Sequence, residues 1–166
     1  MSLAEILKEA LMDGIKARDT YRRIIDTYGP VRPLANIVEA EQRHIEMLLP
    51  LFERYGIPVP EAPDPARIPV PGSLLETCGA AVRAEIDNVT VYDRLLAETE
   101  LADVRVVLLR LQAASRDHHL PAFRRCVESG GAAGVGTVAG GGGRGSGRGC
   151  GGGRGRGFGA SRGGPR

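Results

Sequence analysis

Cysteine is scarce in this chain of 166 residues: Cys78, Cys126 and Cys150 are too few and too scattered for a disulfide framework or a zinc-knuckle spacing. Long apolar runs are missing as well, and none approaches the length that spans a bilayer. The start, Met1-Ser2-Leu3-Ala4-Glu5, lacks the basic segment, apolar stretch and small-residue cleavage site of a secretion signal. These absences predict a soluble, cytoplasmic protein with no membrane partner. Acidic residues are missing from the end of the chain, since all 20 Asp and Glu lie at or before Glu128. That end is also poor in apolar residues, with Phe158 its one aromatic, and such a stretch cannot build a packed core.

Glycine and arginine fill that end instead: 19 of the 24 glycines fall from Gly130 onward, with Arg144, Arg148, Arg154, Arg156, Arg162 and Arg166 among them. The other 16 of the 22 Lys and Arg face the 20 acids in the front part, so the front is net −4 and the tail +6. The chain therefore divides into a domain over 1–129 and a Gly/Arg-rich tail over 130–166, expected to be disordered. An opposite-signed arm can fold back on its own domain or bind a partner. Arg-Gly repeats contact RNA and single strands through phosphate charge and stacking, which offers weak nucleic-acid binding as one role for the tail. A flexible basic linker, with Cys150 as an exposed thiol, is the other.

The front part reads as four helices. Leu3, Leu7, Ala10, Gly14, Ala17, Tyr21, Ile24 and Tyr28 follow the alternating three-and-four spacing of one helical face, and Gly29-Pro30 stops it. Ile37, Glu41, His44, Leu48, Leu51 and Tyr55 continue the pattern until Gly56-Ile57-Pro58. Pro58, Pro60, Pro63, Pro65, Pro69 and Pro71 then exclude a helix and make a long crossover. A third helix begins near Ser73 with Leu74, Cys78, Ala81, Glu85, Asn88, Tyr92 and Leu95 in phase. A fourth carries Leu101, Val104, Leu108, Ser115, His119, Ala122 and Cys126. Short loop, long crossover, short loop is the connectivity of an all-α, ferritin-like antiparallel four-helix bundle with the crossover between helices 2 and 3. The halves align with one another, Tyr21 with Tyr92 at an offset of 71 and His44 with His119 at an offset of 75, which pairs Glu41 with Arg116.

Glu41 and His44, three residues apart, share one helical face and can reach a common point in the bundle interior. Di-metal carboxylate bundles place one Glu on each of two helices and Glu-x-x-His on each of the other two. Hairpin geometry puts those six positions at 14, 41, 44, 85, 116 and 119, where this chain has Gly14, Glu41, His44, Glu85, Arg116 and His119. Four ligand types are present and two positions have failed.

The chain resembles a ferritin-like family of unknown function related to rubrerythrins and erythrins. The resemblance covers roughly the first 128 residues. It is carried by Tyr28-Gly29-Pro30-Val31-Arg32-Pro33, Asn36-Ile37-Val38-Glu39-Ala40-Glu41-Gln42-Arg43-His44, Ala84-Glu85-Ile86-Asp87-Asn88 and His119-Leu120-Pro121-Ala122-Phe123-Arg124-Arg125-Cys126. Members of that family carry Glu at the position of Gly14, so the gap at 14 is this chain's own, whereas a missing carboxylate at 116 is less unusual there.

Two lost carboxylates weaken a two-metal site, so one ion is expected at Glu41, His44, Glu85 and His119: iron, with zinc or manganese as alternatives. Asp13 or Asp117 can substitute if the helices rotate. Iron would bring oxygen or peroxide chemistry. In the opposing reading Arg116 points inward, pairs with Glu41 or Glu85 and replaces the metal, leaving a cofactor-free bundle with a structural or assembly role. A third reading is nucleic-acid tethering through the tail. Tyr21 and Tyr92 each stand two turns from a ligand position and can hydrogen-bond a ligand, carry a radical or simply pack. His118 is expected in solvent. Cys78 and Cys126, seven residues from Glu85 and His119 toward the same end, either pair or sit apart as small buried residues. A homo-oligomer, dimer or larger, is expected.

Overall fold

Two serines launch the long helices that open each half. Ser2 Oγ accepts the Glu5 backbone N–H while the Glu5 carboxylate accepts the Ser2 backbone N–H, a reciprocal cap at the start of α1, Leu3–Tyr28. Ser73 Oγ accepts the Glu76 N–H at the start of α3, Leu74–Ala97. A computed structural model describes residues 1–131. α2, Leu34–Arg54, returns along α1 after a short loop. α4, Ala102–Ala114, returns along α3 and runs through a π-helical turn, Ser115–His119, into α5, Leu120–Glu128. Between the two pairs lies the proline-rich crossover, where the prolines predict no helix. It contains one tight 3₁₀ turn, Pro65–Arg67, capped by Asp64 Oδ1 accepting the Ala66 N–H at 2.9 Å. The described residues contain no strand.

α1 packs on α2, and α3 on α4 and α5; contacts of α1 with α3 and of α2 with α4 join the pairs into a helical bundle. Its apolar core is not continuous. One cluster, around Leu7, Leu11, Leu48, Phe52, Leu95 and Leu108, fills the end near the start of α1. A second, around Tyr21, Ile24, Leu34, Ile37, Ala81 and Phe123, fills the other end. Each fully buried Leu or Phe contributes about 1.5–3 kcal/mol of transfer free energy, so the two clusters together hold the bundle. Along every helix the residues between the clusters are polar or missing a side chain: Gly14 on α1, Glu41 and His44 on α2, Glu85 on α3, and Ser115 and His119 on the π turn.

α5 ends where Gly130 and Gly131 take positive φ and the Gly131 N–H reaches the Cys126 carbonyl. A Cβ at Gly131 would come within 2.7 Å of the Leu75 backbone nitrogen, so only glycine lets the chain pass α3 this closely. The disorder, the nucleic-acid contact and the exposed Cys150 expected of the tail fall on residues 132–166, outside the described residues. No helix among those described is long and apolar enough to cross a membrane.

Candidate metal centre

Three helices deliver buried ligand-type side chains to one point in the polar layer. Glu41 from α2, Glu85 from α3 and His119 from the end of the π turn place one potential ligand atom each within 4.8 Å of one another. His119 Nδ1 lies 3.2 Å from Glu41 Oε1 and 3.5 Å from Glu85 Oε1. His44, one turn along α2, is set slightly apart: its Nδ1 is 3.1 Å from Glu41 Oε2, and its ring stacks against that of His119 with centroids 5.6 Å apart. The structure therefore groups three of the four expected ligands and places the fourth as a partner of one of them.

The polar satisfaction of this layer is incomplete. Glu85 is fully buried, and its Oε2 has no hydrogen-bond partner; nor does His119 Nδ1, which is close to both carboxylates but out of line for a directed bond. Buried polar atoms are nearly always paired, so two unpaired atoms on residues of one buried cluster require an account. A cation bound by the cluster would give both a partner. The donor set, two carboxylates and an imidazole, suits Fe, Zn or Mn.

Arg116 does not enter the layer. Its side chain is 56% exposed and pairs with Asp117, Nε to Oδ1 at 2.8 Å, so the expectation of a guanidinium standing in for the metal is corrected. The same pairing keeps Asp117 at the surface and away from the site. The cause is the π turn, whose Leu120 N–H bonds to Ser115 O, five residues back. The added residue per turn rotates the helix so that Ser115 and His119, four apart, both face inward, and residue 116 swings to solvent. Ser115 stands on the inward face that the three-and-four spacing gives the fourth helix, whereas the Glu-x-x-His template points to 116. A signal was present in Pro121, which has no N–H to offer the carbonyl one turn back and so loosens the helix here. His118 is exposed, as expected.

Position 14 does face the site: a Cβ on Gly14 would lie 3.8 Å from Glu41 Oε2 and 3.5 Å from Ile45. Glycine at 14 therefore brings the α1 backbone, with no ligand-type side chain, against Glu41 and Ile45. Asp13, its neighbour, stays at the rim, where burial and then the charges of Glu41 and Glu85 push its pKa up to about 7. The two tyrosines take different partners. Tyr21 donates to Glu85 Oε1 at 3.4 Å, whereas Tyr92 donates to Asp13 Oδ2 at 3.5 Å and touches no ligand directly. Burial first, and the surrounding carboxylates second, raise both phenols well above their ordinary pKa.

Burial opposes a charge on His119, but close contact with Glu41 and Glu85 outweighs it and raises the imidazole to about 9. Burial likewise opposes charge on Glu41, and His119 and His44 overcome it, holding the carboxyl below its usual range. The two carboxylates thus favour positive charge on the His119 imidazole. A groove of about 350 Å³ between α2 and the π turn reaches His119 past Arg43 and His118. A cavity of about 340 Å³ between α1 and α3 reaches Tyr21 and Asp13 on the other side. Two turns from the ligands, Cys78 of α3 and Cys126 of α5 are joined by a disulfide, with Cα atoms 6.0 Å apart.

Scanned against models of known protein families the chain matches none, and a search of curated proteins finds no match. Solved structures share the fold. One is hypothetical protein MJ0754 from Methanococcus jannaschii, 23% identical over 79% of this chain and 83% of that one, with a TM-score of 0.69. Another is a conserved hypothetical protein, rv2844, from Mycobacterium tuberculosis, 18% identical over 75% of this chain and 89% of that one, with a TM-score of 0.63.

Proposed function

We propose that this chain is a ferritin-like metal-binding bundle that holds one ion, iron or alternatively zinc or manganese, on Glu41, Glu85 and His119. The observation that carries this reading is the pair of orphaned buried atoms, Glu85 Oε2 and His119 Nδ1, inside a cluster whose ligand atoms lie within 4.8 Å. His44 acts beside the ion by holding Glu41 Oε2, and Tyr21 steadies Glu85 Oε1. Gly14 and Ser115 leave two positions of the layer without a carboxylate, which favours one ion over two. Bound iron supplies oxygen or peroxide chemistry at such a centre. The two apolar clusters enclose the layer at its two ends, while the groove at His119 and the cavity at Tyr21 give access from the sides.

Purification without chelators followed by elemental analysis tests the proposal. Close to one Fe, Zn or Mn per chain is expected, and adding Fe(II) to the metal-free protein should raise its melting temperature. Absence of a stoichiometric metal together with an unchanged melting temperature would remove the metal reading. The raised pKa of His119 favours a second reading, in which a proton neutralises the two carboxylates and the bundle is a metal-free structural or assembly unit. Nucleic-acid tethering through the tail is a third. Deleting residues 132–166 should abolish any salt-sensitive RNA retention, and retention that survives would sink it.

A further inference from the structure

The disulfide occupies a telling position relative to the centre. Cys78 stands seven residues before Glu85 on α3, and Cys126 seven after His119 on α5, about 10 Å along each axis. The bond closes a covalent ring from residue 78 to residue 126 that contains Glu85, the π turn and His119, two of the three grouped ligands. It lies in the same apolar cluster as Tyr21 and Phe123, whose rings pack at 5.4 Å, and Tyr21 in turn donates to Glu85. Cross-link, aromatic pair and ligand therefore form one contiguous chain of contacts.

The cross-link anchors α5 through its C-terminal half. The helix is nine residues long, starts from a π turn with no side-chain cap, and has Pro121 in its first turn. Leu120, Phe123 and Cys126 are its buried residues, so the cross-link is one of three side-chain anchors that seat it on α3. Its N-terminal neighbour is His119. A shift of α5 moves that imidazole away from Glu41 and Glu85, and sub-ångström placement of ligands governs metal affinity.

We propose that the Cys78–Cys126 pair is a redox-sensitive lock on the metal centre: oxidised, it fixes α5 on α3 and holds His119 against Glu85; reduced, it releases α5 and weakens the site. This rests on the single-ion reading above. Reduction gives the two sulfurs two electrons and two protons, for instance from two glutathione molecules that leave as glutathione disulfide. Because metal binding and disulfide formation stabilise the same α3–α5 arrangement, each strengthens the other by an equal factor. Both sulfurs are buried, Cys78 1% and Cys126 4% exposed, so exchange needs α5 to open, and bound metal should slow it.

The test uses the full chain with Cys150→Ser, so that only this pair titrates. Mn²⁺, the candidate ion least drawn to free thiols, is titrated into the oxidised protein, the reduced protein and Cys78→Ser/Cys126→Ser, with circular dichroism confirming that all three are helical. The thiol-free double variant is titrated with Zn²⁺ as well. The oxidised form should bind Mn²⁺ on the order of tenfold more tightly than the other two. Saturating Mn²⁺ should shift the pair's equilibrium with glutathione toward the disulfide by that same factor. Equal Mn²⁺ affinity in the oxidised and reduced proteins, or a glutathione equilibrium indifferent to Mn²⁺, overturns the lock while leaving the single-ion site intact. Failure of every form to bind Mn²⁺, with no Zn²⁺ bound by the double variant, overturns the single-ion reading and the lock with it.

Discussion

In the first hairpin Glu41 and His44 face inward from an unbroken α-helix, three residues apart. In the second, the inward pair is Ser115 and His119, four apart across a π turn. The halves align in sequence, and the alignment sets Glu41 against Arg116, yet the backbone sets Ser115 in that place and turns Arg116 to solvent. The same offset in sequence thus yields different side-chain placement, because the hydrogen-bond pattern of one turn decides which residues share a face. The histidine is kept in both halves. The carboxylate is kept only in the first, and the two histidines consequently have different duties: His119 sits among the grouped ligand atoms, while His44 holds a carboxylate.

That difference can be broken by experiment, and the largest effect is expected at the histidines. His119→Ala should weaken Fe(II) or Zn(II) binding by more than ~100-fold, and His44→Ala by roughly 10–100-fold, the range for residues that orient a ligand. Equal losses in competition titrations would erase the distinction drawn between the halves. The next effect concerns ion number. Gly14→Glu combined with Ser115→Glu should raise occupancy from one ion toward two by elemental analysis, whereas Gly14→Glu with Arg116→Glu should stay at one. Two ions in the second variant would mean that residue 116 faces inward after all.

A smaller effect is expected from pH. Glu41 and Glu85 raise His119 from the ordinary 6.5 to about 9 in the folded protein, so its stabilising contribution is complete below about 6.5 and is lost as pH rises through 9. Asp13, raised from 3.8 to about 7, adds a loss of the same sign earlier, since the folded state holds its proton longer. The metal-free protein should lose on the order of 5 °C in melting temperature between pH 7 and 10, and His119→Asn should flatten that slope. Metal affinity should rise over the same interval, because the ion displaces the His119 proton. The smallest effect is that of Arg116→Ala, which should leave the melting temperature and the metal affinity unchanged, as befits an exposed ion pair.

Much of this was legible in the sequence. Three-and-four spacing located the helices, Gly29 and the Pro58–Pro71 crossover located their breaks, and hairpin arithmetic brought positions 14, 41, 85 and 119 to one level. Gly14 was correctly read as a gap facing the site. The three-and-four spacing put Ser115 in phase with His119, but the Glu-x-x-His template failed at Arg116 because it assumes 3.6 residues per turn, and the π turn before Pro121 departs from that. The partner of Tyr92 was out of reach for another reason: a seven-residue spacing gives height along a helix but not which of two neighbouring carboxylates, Asp13 or a ligand, the hydroxyl meets. Whether Cys78 and Cys126 pair depended on the distance between two helices, which no spacing within either helix contains.

The most direct measurement is the number of ions bound per chain at saturation by the disulfide-bonded protein, counted by anaerobic Fe(II) titration alongside Glu85→Gln. One ion per chain, lost or greatly weakened in the variant, is the expected result. No ion, or two ions bound with equal affinity in both proteins, would contradict a single-metal centre on Glu41, Glu85 and His119.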